Sequence, residues 1–214
     1  MRALPAVAWS SAVAHVGALA IVGITLTPAL QGPEIARRAA HVATHPVGWL
    51  AAWSTFTAAG VLLVVFYVLL ARTLARRGGG GGARLGIALV VAGLLVEVSG
   101  HATSVLLVSD AARRGDLVAF ASLESLVRLL TTTVPQPLFG LGMLVFVRLL
   151  VSVRAPLVTL VAGGINVASA FLASATAALG WAALTPVAIA TVVLSLAVFQ
   201  VSLARADRPD PSVR

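Results

Sequence analysis

Long apolar runs separated by short polar connections dominate this chain. Six of these runs are long enough to cross the roughly 30 Å hydrocarbon core of a bilayer, which takes about 20 helical residues. The pattern predicts an all-α fold, a polytopic transmembrane helix bundle forming one domain over 1–204, with a disordered cytoplasmic tail at 205–214. The predicted spans are 5–30, 47–72, 85–109, 116–153, 156–178 and 181–203.

Two of the runs have unusual lengths. The first run exceeds the apolar core of a secretory signal peptide, which is about 7–15 residues, so it predicts an uncleaved span. The fourth run, 116–153, is too long for one straight crossing, and Pro135 and Pro137 are expected to break it. Either 116–134 is a tilted or interfacial helix that leads into a shorter span, or one kinked helix begins outside the hydrocarbon core.

The arginines indicate how the chain is oriented. The chain has 15 basic residues, all of them arginine. If both termini are cytoplasmic, the cytoplasmic segments hold most of the arginines, with the greatest density in RTLARRGGGGGAR (Arg72–Arg84). We therefore predict both termini in the cytoplasm. The five consecutive glycines in that segment predict a flexible tether.

Composition excludes several classes of protein. The chain is 59% hydrophobic and 10% charged, with mean hydropathy +1.03, which favours a membrane protein whose main partner is the lipid bilayer. The net charge of +8 is spread over loops and forms no basic face, so no nucleic-acid partner is expected. The absence of cysteine excludes disulfides and thiolate chemistry. The residue usage is typical of a GC-rich bacterial gene and favours the inner membrane.

The third run places charge inside an apolar helix. At about 100° per residue, small residues and one carboxylate fall near one line of this helix, with His101 at its edge. Such a line predicts a seam for close helix packing. Its members are Gly86, Gly93, Glu97, Gly100 and Ser104.

A candidate intramembrane polar cluster follows if the third and fourth runs fold back about a turn at 110–116. Because both helices rise equally per residue, two residues whose numbers add to about 225 then lie at the same height on the two helices. Glu97 would face Arg128, and His101 would face Glu124. Ionisable side chains at bilayer depth cost on the order of 2.5–3.5 kcal/mol each, so they suggest a function by default.

Two functions are consistent with this cluster. One is a small transporter-like or proton-coupled membrane protein that uses Glu97, His101 and Arg128. The alternative is a non-catalytic structural or partner-binding subunit, in which the cluster is a sealed ion-pair network. This alternative predicts a homo-oligomer or membrane partner on an exposed small-residue helix face, for example around Gly163–Ala173.

An enzyme is less favoured. Two histidines in the first connection, His41 and His45, share a helical face and are weak metal candidates, with no third ligand evident. An intramembrane metalloenzyme that adds His101 to them ranks third. The chain has no nucleophile elbow, zinc-protease or phosphate-loop motif, and we expect no cofactor.

Aromatic and small polar residues complete the pattern. Trp49, Trp53 and Tyr67 stand near the ends of the second run, as membrane-interface anchors do. Polar residues on the fifth run share a face and are expected to form hydrogen bonds to a neighbouring helix, and those on the sixth run form one polar stripe. On the fifth run these are Thr159, Asn166 and Ser169, and on the sixth Thr191, Ser195 and Ser202.

Three segments resemble a family of small uncharacterised bacterial integral-membrane proteins with about six helices. They are GWLAAW (Gly48–Trp53), VVFYVLLAR (Val64–Arg72) and SLVRLLTTTVPQPLFGLGMLV (Ser125–Val145). In that family a Trp-x3-Trp pair and a Phe-Tyr/Ala-x2-Leu segment bracket the second span. The Pro-Gln-Pro at 135–137 departs from the family pattern. The resemblance implies a helical membrane architecture and no particular activity.

Overall fold

The computed structural model describes residues 3–25, 34–76 and 82–206, and every regular element within these ranges is a helix. Six helical units in these ranges are long and apolar enough to span a bilayer, which confirms the predicted all-helical fold with six helices of spanning length. The predicted end of the first span at 26–30, most of the glycine tether and the tail from 207 lie outside the described residues.

The described ranges contain nine α-helices and two π-helices, and all of them except the short helix Ile35–Thr44 belong to these units. The third span consists of α4, π1 and α5, and the fourth consists of α6, π2 and α7. The bounds are α1 (Ala3–Thr25), α2 (Ile35–Thr44), α3 (Pro46–Arg76), α4 (Ala83–Thr103), π1 (Ser104–Val108), α5 (Ser109–Arg114), α6 (Leu117–Arg128), π2 (Leu129–Thr133), α7 (Pro135–Ser152), α8 (Leu157–Ala178) and α9 (Leu184–Ala206).

The six long helices form a closed ring. Each packs against the next along the chain, in the order α1, α3, α4, α7, α8 and α9, and α9 packs against α1. Neighbours run antiparallel, so α1 begins and α9 ends at the same end of the bundle. We call this the terminal end and the opposite one the capped end.

Large apolar side chains fill the interior of the ring towards the terminal end. The Tyr67 ring stacks on Phe146 at 4.6 Å, and the Phe66 ring meets Phe199 edge-on at 6.2 Å. The Tyr67 hydroxyl donates to the Met143 sulfur. All five side chains are at most 2% exposed, so this half of the bundle is a packed apolar core.

A cap of three short helices covers the other end. The amphipathic α2 packs against α5 and α6, and all three share a buried apolar cluster with the start of α3, centred on Val42, Trp49 and Phe120. The third and fourth spans have 32 and 36 residues, or about 48 and 54 Å at 1.5 Å per residue. Because a bilayer core is about 30 Å thick, we infer that the α5–α6 hairpin projects beyond it.

The fourth span is interrupted immediately before the prolines. Pro135 begins α7, where a missing backbone N–H costs nothing, and π2 precedes it. The turn between the third and fourth spans lies at Gly115, whose φ of 68° is left-handed, and Asp116 then caps α6 by accepting from the Ala119 N–H.

The register between the third and fourth spans differs from the predicted one. Because α5 continues through Arg114, the turn comes later than expected, and the two helices are displaced by more than one helical turn. Glycines of α4 do form the predicted packing seam. Added Cβ atoms at Gly86, Gly93 and Gly100 would meet Phe146, Phe139 and Thr131, respectively.

Polar residues join the fifth and sixth spans. The hydroxyls of Thr159 and Ser202 are 2.8 Å apart, and the Asn166 amide donates to the Val192 carbonyl at 2.8 Å. The small-residue face of α8 is not the exposed surface that the sequence suggested. Gly163 lies against Val147 and Phe199, and Ala173 is fully buried, because α7 and α9 both cover this face.

Candidate functional site

One stripe of α3 faces the polar part of the third span. Trp49, Trp53, Thr57 and Gly60 lie at helical spacings of four, four and three, which place them on one side of α3. Opposite them, in antiparallel order, are Ser104, His101 and Glu97. We call these seven residues the α3–α4 site.

His101 is the best-defined member of this site. It is 4% exposed, and its Nδ1 lies 2.8 Å from the Thr57 hydroxyl oxygen. Its imidazole ring is 4.9 Å from the Trp53 ring and 6.2 Å from the Phe56 ring, centroid to centroid. The histidine is therefore held between two aromatic rings and a hydroxyl.

The Thr57 hydroxyl suggests which imidazole nitrogen is free. It lies 3.0 Å from the Trp53 carbonyl, to which it donates. A hydroxyl that donates its single proton there accepts from the Nδ1–H of His101. This arrangement leaves Nε2 of His101 as the nitrogen that can bind or release a proton.

Glu97 lies one helical turn from His101, towards the terminal end. Its carboxylate is beside Gly60, where an added Cβ would be 3.8 Å from Oε2. Within the described chain, Glu97 has no hydrogen-bond or ion-pair partner. It stands about 21 Å along α4 from Ala83, a distance that falls inside a hydrocarbon core about 30 Å thick.

Two buried polar atoms of the site also lack hydrogen-bond partners among the described residues. These are Nε1 of Trp53 and Oγ of Ser104. The neighbouring Trp49 donates its Nε1–H to the Ser104 carbonyl at 3.0 Å. Ser104 begins π1, and such single π turns inside α-helices occur frequently at functional sites.

The structure does not bring Glu124 to His101 or Arg128 to Glu97. Glu124 forms a bidentate ion pair with Arg38 of α2, with Nε–Oε1 and Nη2–Oε2 distances of 3.1 and 2.7 Å. Arg128 is exposed and has no ion pair within the described chain. The shifted register accounts for both outcomes, because it moves Glu124 and Arg128 further towards the capped end than predicted.

Arg38 and Glu124 connect two helices of the cap. Hydrogen bonding to Glu124 raises the pKa of the Arg38 guanidinium above its ordinary value. Both side chains are mostly buried, at 15% and 18% exposure, so the pair is better shielded from water than a surface salt bridge.

The two histidines of α2 stack on each other. The rings of His41 and His45 are 4.4 Å apart, His41 Nε2 lies 3.1 Å from the Thr25 carbonyl, and His45 Nδ1 lies 3.0 Å from the His41 carbonyl. Among the residues that the structure describes, no group of three or more potential ligands could hold a metal ion.

A second buried polar group lies between α1 and α9. The Gln200 amide donates to the Ser11 hydroxyl at 2.9 Å, and His15 Nδ1 donates to the Ser11 carbonyl at 2.7 Å. The carbonyl oxygen of Gln200 is buried without a partner. These three residues are on the far side of α1 from the α3–α4 site and belong to the contact between the first and last spans.

Several of these partners were not predicted from the sequence. Trp49, Trp53 and Tyr67 are buried, at 6% exposure or less, and are not interface anchors. The available signal was their spacing, since Trp49, Trp53 and Thr57 recur every four residues on an otherwise apolar helix. Arg38 had no comparable signal, because its pairing depends on how α2 folds over the hairpin.

Comparison with known proteins gives no match. No family model, curated protein or solved structure is significantly similar to this chain. The resemblance of three segments to bacterial membrane proteins therefore gains no support from a family match. The site has to be interpreted from its own geometry.

Proposed function

We propose that this chain is a multi-pass protein of the bacterial cytoplasmic membrane, with both termini in the cytoplasm, and that it is a small transporter-like or proton-coupled protein. Glu97 and His101 form its proton-binding site. The observation that carries the proposal is the partnerless carboxylate of Glu97 at membrane depth, one turn from a histidine with a free ring nitrogen.

The chemistry of the surroundings supports this role. An ionised carboxylate in apolar surroundings is unstable unless it is paired. Glu97 is therefore expected to hold a proton in this environment and to release it when water reaches the carboxyl group or the pH rises. Trp53 and Phe56 present aromatic rings to His101, and such rings stabilise a cation nearby. His101 is therefore the second group of the proposed proton-binding site.

The alternative is a structural or partner-binding subunit with a sealed polar site. Its strongest support is the Arg38–Glu124 pair, which joins two helices of the cap and is mostly buried. A sealed site predicts that Glu97 does not exchange protons with bulk water, and this difference separates the two proposals.

Dicyclohexylcarbodiimide provides the test, because it enters membranes and modifies carboxyl groups only in their protonated form. Purified protein in detergent would be treated across a pH series, and the modified residue identified by mass spectrometry of peptides. We expect modification at Glu97 that declines as pH rises, and none at Glu124 or in the Glu97→Gln variant.

Two outcomes would contradict the proposal. If Glu97 stays unmodified at every pH in folded protein, it is not a protonated membrane carboxyl. If it is modified equally at every pH, its proton does not exchange with water, and the structural alternative is favoured. Thermal unfolding of Glu97→Gln verifies that the variant is folded.

A further inference from the structure

Resting on the proposed function, we infer that protons reach Glu97 and His101 from the capped end of the bundle only. On the α3–α4 side of the bundle, the packed core closes the terminal half, and the capped half holds the polar groups along which water can approach. The inference concerns the direction of access and not the existence of the proton site.

The barrier on the terminal side can be followed along both helices. Between Gly60 and Arg72 on α3 the only polar side chain is Tyr67, and between Arg84 and Glu97 on α4 there is none. The Tyr67 hydroxyl is already bonded to the Met143 sulfur. Because water and protons need polar partners, these two apolar stretches offer no route along α3 and α4.

The capped side of the site, in contrast, is lined with polar groups. From Glu97 towards the capped end, the first polar pair is His101 with Thr57. Next are Nε1 of Trp53 and Oγ of Ser104, which have no hydrogen-bond partner among the described residues. The last is Ser109, whose hydroxyl is 3.4 Å from the Ser104 carbonyl. Trp53 is 6% exposed and Ser104 is fully buried. Buried polar atoms are normally satisfied by protein or ordered water, so these two atoms point to water beside π1.

The helices packed around Glu97 and His101 place few other charged or titratable side chains near them. α3 contributes Trp53, Thr57 and Gly60, and π2 contributes Leu130 and Thr131 against Gly100, none of which titrates near neutral pH. α7 places Phe139 against Gly93. The charged side chains of α6 are Glu124, which is bound by Arg38, and Arg128, which is exposed.

The cap stands between this polar route and the solvent. Val42 of α2 and Phe120 of α6 belong to the same buried cluster as Trp49 and Trp53. Access from the capped end therefore requires the cap to shift, and the Arg38–Glu124 pair holds two of its helices together. Weakening that pair should speed access without creating a route from the terminal side.

The test uses sealed liposomes with the protein inserted in a known orientation, determined by protease protection of a carboxyl-terminal tag. The pH is made alkaline on one side at a time, and modification of Glu97 by dicyclohexylcarbodiimide is followed. Alkaline pH on the capped side should lower modification by about tenfold per pH unit above the midpoint, since that is how the protonated fraction falls. Alkaline pH on the terminal side should leave modification unchanged.

Variants identify the route. Trp53→Phe and Ser104→Ala each remove one partnerless atom, and both should slow the response to pH on the capped side severalfold. Trp181→Phe and Ser99→Ala change an exposed tryptophan and an exposed serine and serve as matched controls. The glutamate that is modified must remain Glu97 in every variant.

The outcomes keep the two proposals apart. A response to pH on the terminal side, or on both sides equally, overturns the inferred direction and leaves the proton site intact. Modification that ignores pH on both sides contradicts the proposed function itself. If the side is as expected but Trp53→Phe and Ser104→Ala respond at the control rate, the route beside π1 is wrong.

Discussion

Glu97 and Glu124 are two glutamates in very different surroundings. Glu124 receives two hydrogen bonds from one guanidinium, and its position about 42 Å from Ser152 along the helix puts it beyond a hydrocarbon core of about 30 Å. Glu97 has no such partner within the described ranges and lies at membrane depth. We therefore assign a structural role to Glu124 and expect chemistry only from Glu97.

The structural role of Glu124 can be measured with a double-mutant cycle on thermal unfolding. Arg38→Met and Glu124→Gln should each destabilise the protein, and the double variant should lose less than their sum. Because the contact is bidentate and mostly buried, we expect a coupling free energy of about 1–3 kcal/mol. The cycle isolates the pair from other effects of each substitution.

A second ion pair of the cap provides the control. Arg114 and Asp110 are 3.0 Å apart, but their side chains are 64% and 46% exposed. Exposed pairs of this kind contribute about 1 kcal/mol or less, because water and salt screen them. Equal coupling in both pairs would mean that the Arg38–Glu124 contact does not hold the cap.

At the scale of helices, close packing between α4 and α7 depends on glycines on both sides. Gly86 and Gly93 of α4 accept aromatic rings of α7, and Gly142 of α7 lies against the backbone of α4. Such contacts let two helices approach more closely than side chains would allow. They fix the height of Glu97 relative to the cap.

Gly142→Ala tests this packing. An added Cβ would be 2.6 Å from a Val90 methyl and 3.1 Å from the Gly86 carbonyl oxygen, which is backbone and cannot rotate away. The helices must then separate, so we expect a loss of about 1–3 kcal/mol in thermal stability. Gly164→Ala is the matched control, because nothing lies within 4 Å of its added Cβ. It should be neutral or stabilise by up to about 1 kcal/mol.

The number and placement of the spans follow from the sequence, whereas the contacts of the site do not. Apolar length alone locates the six helices, because a bilayer imposes it, and the glycine spacing of α4 locates a seam. The pairing of Glu97 with Arg128 failed because helical periodicity fixes faces and not register. Moving the turn to Gly115 was enough to bring Glu124 to Arg38.

For the whole molecule, the ring of helices places the polar features in separate regions. The α3–α4 site lies on one side, the Ser11–His15–Gln200 group lies between the first and last spans, and the apolar core around Phe66 and Tyr67 lies towards the terminal end. This separation underlies the inferred access to Glu97 from the capped end.

Ring closure means that no helix of this bundle occupies a free edge. Gln200 of α9 bonds to Ser11 of α1, and the start of α1 and the end of α9 lie at the same end of the bundle. The chain could therefore begin at a different helix of the ring, provided that the cyclic order of the helices is kept.

A circularly permuted chain tests this consequence. It would start at Ala83, join Ala206 to Ala3 through a glycine–serine linker, and finish at Arg76, so all six contacts of the ring could re-form. We expect it to give a monodisperse protein in detergent, with carbodiimide modification at Glu97 as in the original chain. Failure to fold, with the linker long enough to span the gap, would mean that the first and last helices depend on the order of the chain and not on their shared surface.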